Sequence, residues 1–153
     1  MERECGSAET CTIRIHLFGP LEVERRVPDG SWKPIDKASW GKGTFARSVL
    51  KRLLSMPGRR ASRGILQEDI WPDVSLELAD KYLYEAIYTI RKAIGRELVT
   101  TTGAIYALAD QAHIWVDMDC CTLLLKNVEN LGHTSLEAIP LLEEALSYCE
   151  CGG

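Results

Sequence analysis

The stretch "SLELADKYLYEAIYTIRKAIG", residues 75–95, contains the strongest helical pattern in the chain. Its apolar residues recur at about 100° per residue around a helix axis, which predicts an amphipathic helix with one buried stripe. Ser75 is suited to cap the start of this helix, and Gly95 to end it. Tyr84 and Tyr88 lie outside the stripe, so we expect two aromatic side chains on the exposed face. The predicted buried stripe comprises Leu76, Ala79, Leu83, Ala86, Ile87, Ile90 and Ile94.

Two strands and two shorter helices are predicted upstream of this helix. "TIRIHLF" (12–18) and "LEVERRV" (21–27) alternate apolar and polar residues, and a short extended run follows at 32–35. Together they predict an antiparallel N-terminal sheet. Helical spacing then continues over about 44–55, and a second helix begins at the N-cap Ser62 and runs to Ile70. Their expected apolar faces are Phe45, Val49, Leu50, Leu53 and Leu54 in the first helix, and Ile65, Leu66 and Ile70 in the second.

A hairpin and a helical pair are predicted downstream. "ELVTTTGAIYAL" (97–108) consists of two extended runs around Thr102-Gly103, which is typical of a β-hairpin, and "HIWVDM" (113–118) can add a third short strand. Helical spacing returns over 119–130 and 135–149. The apolar residues of these two helices are Leu123, Leu124 and Val128 in the first, and Leu136, Ile139, Leu142 and Leu146 in the second.

This order of elements is that of a winged helix-turn-helix. We therefore predict an α+β fold: a winged helix-turn-helix with an N-terminal antiparallel β-sheet, three helices and a C-terminal β-hairpin wing, followed by a helical hairpin. The expected division is a disordered leader at 1–11, a winged-helix domain at 12–116 and a helical segment at 117–153.

The charges are unevenly distributed, although the formal net charge is −4. From Lys42 to Arg63 the sequence has seven basic residues and no Asp or Glu, whereas from Asp110 onward eight acidic residues accompany the single Lys126. The basic segment is suited to neutralising phosphates, so an acidic overall composition does not exclude a DNA partner. The long helix is formally neutral, with three acidic residues against three basic ones: Glu77, Asp80 and Glu85 against Lys81, Arg91 and Lys92.

The sequence shows no motif of an enzyme, a metal site or a cofactor site. No Ser/His/Asp, paired-carboxylate or Gly-rich phosphate motif occurs, so we expect no catalysis and no cofactor. The six cysteines lack zinc-ligand spacing, which favours reduced, unligated thiols; the alternative is a metal or redox role. No apolar run reaches about 18 residues, and the cytoplasm is the expected location. The cysteines for which that alternative stays open are Cys120, Cys121, Cys149 and Cys151.

A DNA-binding interpretation assigns separate roles to the helix and to the basic segment. In helix-turn-helix proteins one helix enters the major groove while neighbouring elements contact the backbone. We expect helix 75–94 to read base edges through Lys81, Tyr84, Glu85 and Tyr88, because these side chains differ in reach and hydrogen-bonding capacity. Phosphate contacts are expected from the basic segment, from the start of the second helix and from the hairpin tip. They are Arg47, Lys51, Arg59, Arg60, Ser62, Arg63, Lys92, Thr101 and Thr102.

The predicted function is therefore a sequence-specific, double-stranded-DNA-binding transcriptional regulator. The alternative is a winged-helix protein–protein interaction module with weak or no DNA binding. In that case Tyr84 and Tyr88 would form the centre of an interface, since tyrosine is enriched at interface hot spots.

Four segments resemble the SARP-type bacterial transcriptional activators: "PGRRASRGILQEDIWPD" (57–73), "LYEAIYTIRKAIG" (83–95), "LVTTTGAIYAL" (98–108) and "VDMD" (116–119). The resemblance extends over about residues 12–150. It implies an OmpR-type winged-helix domain, with 62–70 as the positioning helix, 75–94 as the recognition helix and 97–108 as the wing. It also places Arg91 at the position of an arginine that ends the family's recognition helix, as a phosphate contact.

The same resemblance carries expectations about partners. Residues 117–153 would be the first helical pair of a tetratricopeptide-like activator domain, in a shortened form or a naturally short member. The C-terminal helices would contact RNA polymerase or other regulator domains. Binding as a homodimer at repeated DNA sites is a further expectation, and no membrane is involved.

Overall fold

The computed structural model describes residues 11–41, 45–110, 113–131 and 136–151, with side chains up to residue 147. The described chain is α+β, as predicted, with five α-helices and two small β-sheets. The strands are β1 Ile13–His16, β2 Glu22–Arg26, β3 Trp32–Pro34, β4 Arg60–Ser62, β5 Val99–Thr102, β6 Ile105–Leu108 and β7 Ile114–Val116. The helices are α1 Phe45–Ser55, α2 Arg63–Ile70, α3 Leu76–Ile94, α4 Asp117–Leu131 and α5 Ala138–Cys151. The chain divides into two compact units, one formed by residues 1–34 and 111–153 and the other by residues 35–110.

The first unit contains a four-stranded sheet in the order β3-β2-β1-β7. The predicted antiparallel N-terminal sheet is confirmed, since β1 pairs with β2 and β2 with β3 in antiparallel register. The run at 113–118 differs from the expectation, because its strand β7 pairs with β1 in parallel register rather than with the hairpin. Ile13 and Ile15 lie opposite Ile114 and Val116, and all four side chains are buried. A buried alternating face on both strands stabilises this pairing.

Polar contacts hold β1 and the two residues that follow it. The buried carboxylate of Asp117 accepts hydrogen bonds from the backbone N–H groups of Leu17, at 2.9 and 3.1 Å, and of Phe18, at 3.3 Å. The guanidinium of Arg14 donates to the Glu24 carboxylate at 2.8 Å, and His16 lies 2.8 Å from the same oxygen. The Arg14 hydrogen bond holds the pKa of Glu24 below its ordinary value of 4.5; burial opposes this shift and the His16 contact supports it.

Helices α4 and α5 pack together with a different face of α5 from the predicted one. The cluster between them consists of Leu124, Val128, Ala138, Leu141 and Ala145. The apolar residues expected in a helix over 135–149 are exposed instead. They are Leu136, which precedes α5, and Ile139, Leu142 and Leu146. The segment has two apolar stripes, and the one with two alanines is buried. The distance between packed helices depends on the side chains at their contact, and alanines at the contact permit a short distance.

Cys120 is a second correction to the sequence analysis. This residue is buried in α4 and forms a disulfide, whereas Cys11 and Cys121 are reduced thiols. Disulfide formation depends on the distance and direction of two Cβ atoms, which sequence spacing does not provide. Cys149 and Cys151, like Cys5, lie outside the residues whose side chains the structure describes.

The second unit packs three helices against a three-stranded antiparallel sheet in the order β4-β6-β5. The predicted caps are confirmed: Ser62 Oγ accepts from Ile65 N and Ser75 Oγ from Leu78 N, both at 3.3 Å. Gly95 ends α3 with a φ of 126°, a value that favours glycine. The core of this unit includes Val49, Leu50, Leu53, Leu66, Leu83, Ile87 and Ile90.

Three residues that were predicted to be buried in this unit are exposed. Leu76 is 73% exposed because it occupies the first position of α3, where the helix begins beyond the core. Phe45 and Ile65 are each 41% exposed. Phe45 is likewise the first residue of its helix, and Ile65 lies in the first turn of α2.

Candidate nucleic-acid interface

Two tyrosines form an exposed ridge on α3. Tyr84 is 73% exposed and Tyr88 61% exposed. They are four residues apart, so their side chains are neighbours on one face of the helix. Leu83, which precedes Tyr84, and Ala86 and Ile87, which lie between the two tyrosines, are buried. This confirms the predicted orientation of the tyrosines. These two side chains are called the tyrosine ridge below.

A groove of about 630 Å³ runs between the tyrosine ridge and the β5–β6 hairpin. Its charged lining residues in the described chain are all basic: Arg91, Lys92 and Arg96. Tyr106 and Thr101 line it on the side of the hairpin. This hollow, called the basic groove below, therefore combines a positive lining with aromatic and hydroxyl groups, a composition suited to an anionic ligand.

Arg91 joins the β5–β6 hairpin to α3. Its Nε donates to the carbonyl oxygen of Val99 at 3.1 Å, and its Nη2 donates to Thr101 Oγ1 at 2.7 Å. Both acceptors belong to β5, so the guanidinium holds this strand beside the end of α3. The positive charge of Arg91 remains in the groove lining, while two of its hydrogen-bond donors are used within the protein.

A second hollow of about 400 Å³ lies beside Tyr84, where it is lined by residues of α2, α3 and β6. Arg63, Lys81 and Tyr106 line it together with Asp80. The Asp80 carboxylate accepts a hydrogen bond from the side-chain amide of the buried Gln67. This bond explains an acidic residue next to basic ones, because it satisfies a buried amide of α2.

The structure thus brings together seven of the predicted site residues around these two hollows. Tyr84 and Tyr106 line both, so the hollows are adjacent. The seven residues are Arg63, Lys81, Tyr84, Tyr88, Arg91, Lys92 and Thr101. Glu85 lies on the opposite side of the tyrosine ridge, where it lines a separate groove of α3.

Other predicted cations have different surroundings. Arg59 donates to the carbonyl oxygen of Ala109 at 3.5 Å, and its Nη2 is buried. Arg59 is half-buried, and its guanidinium is turned toward the protein rather than toward solvent, so Arg59 is not assigned to the interface. Arg52 of the same basic segment forms an ion pair with Asp69 at 2.7 Å, and Lys42 lies outside the described residues.

The remaining predicted residues lie away from the lining of the two hollows. Arg47 is half-buried and Lys51 exposed on α1, and Arg60 is exposed on β4. The hydroxyl of Ser62 is used as the N-cap of α2. Thr102 is exposed at the end of β5, beside the turn at Gly103, whose φ is 61°.

Two lining residues of the basic groove, Arg96 and Tyr106, were not predicted from the sequence. Arg96 follows the helix-ending Gly95 in a short 3-10 turn, Arg96–Leu98, which directs the chain back toward α3. Tyr106 lies opposite Thr101 on one side and Ala61 of β4 on the other. The predicted hairpin pairing could have placed Tyr106 opposite Thr101. The pairing of Tyr106 with β4 could not have been predicted, because a strand of three residues has no recognisable sequence pattern.

Comparison with models of known protein families gives no match, and no curated protein matches the sequence. In the described part of the chain, no helix is long and apolar enough to cross a bilayer. Among the same residues, no cluster of three or more His, Cys, Asp or Glu side chains is arranged to hold a metal ion.

Proposed function

We propose that residues 35–110 form a winged-helix module that binds double-stranded DNA, with α3 in the major groove and the β5–β6 hairpin over the backbone. The order of elements supports this proposal. One helix, a short strand, two helices and a hairpin follow each other as α1, β4, α2, α3, β5 and β6. Strand β4 pairs with the second strand of the hairpin, as the first strand of a winged helix does. This α3 then corresponds to the helix that enters the major groove.

The observation that carries the proposal is the tyrosine ridge beside the basic groove. A cationic groove with no acidic lining residue among the described ones suits a phosphate backbone. The exposed phenol rings suit base edges, where a hydroxyl can donate and a ring edge can contact a thymine methyl group. We assign base contacts to Lys81, Tyr84, Glu85 and Tyr88. We assign phosphate contacts to the cations around the two hollows, to further cations of α1 and β4, and to the threonine hydroxyls of the hairpin. The phosphate-contacting residues are Arg47, Lys51, Arg60, Arg63, Arg91, Lys92, Arg96, Thr101 and Thr102.

Titration of a fluorescent mixed-sequence duplex at several salt concentrations tests the proposal. We expect binding at low salt that weakens as salt is added. Because each lost phosphate contact lowers the salt slope by about 1, Lys92→Gln and Arg96→Gln should each flatten it. Lys126→Gln is the matched control, since this exposed lysine lies on α4 in the other unit and should leave the slope unchanged. A folded chain that does not bind the duplex even at low salt contradicts the proposal.

Selection of preferred sequences from a random duplex pool tests the assignment of the base contacts. Tyr84→Leu should change the selected sequence, because it removes a hydroxyl and a ring edge from the reading face. Lys92→Gln should weaken binding to all sequences to a similar extent. An unchanged preference in Tyr84→Leu would remove this tyrosine from the base-reading set.

Within this proposal the chain acts as a transcriptional regulator in the cytoplasm. The outward apolar residues of α5, which include Ile139 and Leu142, would then contact another protein, such as RNA polymerase or another regulator domain. Homodimers at repeated sites belong to the same proposal.

A protein-interaction module is the second candidate function, and the exposed apolar surface of α3 favours it. Leu76 and Tyr84 are both 73% exposed on a formally neutral helix. In this case Tyr84→Ala and Tyr88→Ala should abolish capture of the partner, whereas Arg63→Gln and Arg96→Gln should have little effect. DNA titration of the same four variants separates the two candidate functions. If the chain binds DNA, the two arginine variants should weaken DNA affinity more than the two tyrosine variants do.

A further inference from the structure

A second groove, of about 420 Å³, runs along the side of the tyrosine ridge that faces α1. Five aromatic residues line it: Trp40, Phe45, Tyr82, Tyr84 and Tyr88. Trp40 lies in the 3-10 turn Lys37–Trp40 that precedes α1. This hollow is called the aromatic groove below. Its volume is within the usual range for a small-molecule site, and its wall is richer in aromatic rings than that of the basic groove.

The wall of the aromatic groove is held by ring packing. The centroids of Phe45 and Tyr82 are 5.0 Å apart, and Phe45 meets Trp71 edge to face at 5.3 Å. Trp71 also packs against Tyr82 at 5.8 Å and is itself buried. Contacts of this kind orient aromatic rings. They explain how Phe45 keeps its position although 41% of its surface is exposed.

Glu85 is the single charged side chain among the described residues that line this groove. The structure records no ion pair or hydrogen bond for its carboxylate within the described chain. The nearby Thr89 uses its hydroxyl to donate to the backbone oxygen of Glu85 at 2.9 Å. The carboxylate is therefore available to a ligand, while the threonine hydroxyl is already engaged.

We propose that the aromatic groove binds a small organic cation that carries an alkylated ammonium group. Aromatic faces attract a cation through the ring quadrupole, and a carboxylate at the rim adds an opposite charge. An alkylated ammonium fits better than a primary one, because it needs few hydrogen-bond acceptors and loses less hydration when it is buried. Besides Glu85, the lining offers few acceptors apart from the tyrosine hydroxyls. The aromatic groove lies on the other side of the tyrosine ridge from the basic groove. It shares Tyr84, Glu85 and Tyr88 with the proposed base-reading face, so its test is made without DNA and does not rest on DNA binding.

Titration of the full chain with choline, followed by amide chemical shifts, tests the site. We expect shifts in the amides of residues 82–89 and of Trp40, Gly41 and Phe45. The neutral carbon analogue of choline, in which a tert-butyl group replaces the trimethylammonium group, should bind about tenfold more weakly, because it keeps the shape and loses the charge. Since the analogue differs only in charge, it separates cation recognition from apolar burial.

Variants on the exposed face of α3 provide the second arm. Glu85→Gln keeps the shape of the rim and removes its charge, and Tyr84→Leu keeps an apolar side chain and removes the ring. Each should weaken choline binding by about tenfold. Glu77→Gln is the matched control, because Glu77 is an exposed carboxylate of the same helix outside the groove lining, and it should bind choline as the unchanged chain does.

Three outcomes overturn the proposal. One is the absence of shifts at the groove, and another is equal binding of choline and its neutral analogue, which would make the groove an apolar site only. The third is choline binding that Glu85→Gln and Tyr84→Leu both leave unchanged. All variants are compared by circular dichroism first, and both substituted side chains are exposed, so a loss of binding with an unchanged spectrum reports on the groove.

Discussion

Asp80 is an exposed residue of α3 whose side chain stabilises the fold. Asp80 lines the same hollow as Arg63 and Lys81, which would suggest an electrostatic role. Its carboxylate instead accepts a hydrogen bond from the side-chain amide of Gln67, which is only 5% exposed. The bond connects α2 to α3 and satisfies a buried polar group. The acidic residue therefore stabilises the packing of the helix that carries the tyrosine ridge.

Asp80→Ala should destabilise the chain by about 1–3 kcal/mol, because it leaves the buried Gln67 amide without its acceptor. Urea denaturation measures the change in the free energy of unfolding. Glu85→Ala is the matched control, since Glu85 is an exposed carboxylate in the middle of the same helix, and it should change stability by less than about 0.5 kcal/mol. Equal effects of the two substitutions would contradict a structural role for the Asp80–Gln67 bond.

At the scale of elements, the sequence predicted boundaries well and buried faces less well. The start and end of α3 agree with the prediction because serine and glycine caps mark them. The strand β4 was missed, since its three residues, Arg60–Ser62, show no alternation of their own and acquire their conformation from pairing with β6. Helix α5 has two apolar faces, and the sequence of α5 alone does not show which of them packs against α4.

Dependence on packing partners distant in the sequence also explains why the candidate site differs in part from the prediction. Periodicity places Tyr84 and Tyr88 on the outer face of α3, and this prediction is confirmed. The direction of a long side chain is not encoded by its spacing, so the inward guanidinium of Arg59 could not be distinguished from an outward one. Arg96 and Tyr106 reach the basic groove only through the return of the chain after Gly95.

Two adjacent leucines in α5 test which face is buried. Leu141 is 4% exposed and belongs to the cluster with α4, whereas Leu142 is 39% exposed. Leu141→Ala should cost about 2–5 kcal/mol of stability, as is typical of a buried leucine. Leu142→Ala, the same chemical change one position later, should cost much less. Thermal or urea unfolding of both variants measures the difference, and a larger loss in Leu142→Ala would restore the originally predicted face.

At the scale of the whole molecule, the charges divide between the two units. Residues 35–110 contain twelve basic and nine acidic side chains, so this unit is formally positive by 3. The other unit is negative by 7, which accounts for the net charge of −4. Overall charge is therefore a poor guide to the proposed DNA contact, because a phosphate backbone responds to the local positive surface.

The two units should also respond differently to acid. Two carboxyl groups with a lowered pKa, Glu24 and Asp29, lie in the unit formed by residues 1–34 and 111–153. The Arg14 hydrogen bond lowers the pKa of Glu24, and hydrogen bonds from the Ser31 side chain and backbone lower that of Asp29. A lowered folded-state pKa contributes stability that is fully present above the unfolded-state pKa and is lost as the pH falls through the folded-state pKa.

We therefore expect this unit to lose stability first as the pH falls below about 4.5, the ordinary pKa range of a glutamate. Hydrogen exchange resolved by residue measures the effect, and the amides of β1 and β2 should lose protection at higher pH than those of α3. Glu24→Gln removes the titrating group, so it should lower the protection of β1 and β2 at neutral pH and reduce its dependence on pH between about 3 and 5. Simultaneous loss of protection in both units, unchanged by Glu24→Gln, would show that the acid response belongs to the whole chain and not to the Arg14–Glu24–His16 contacts.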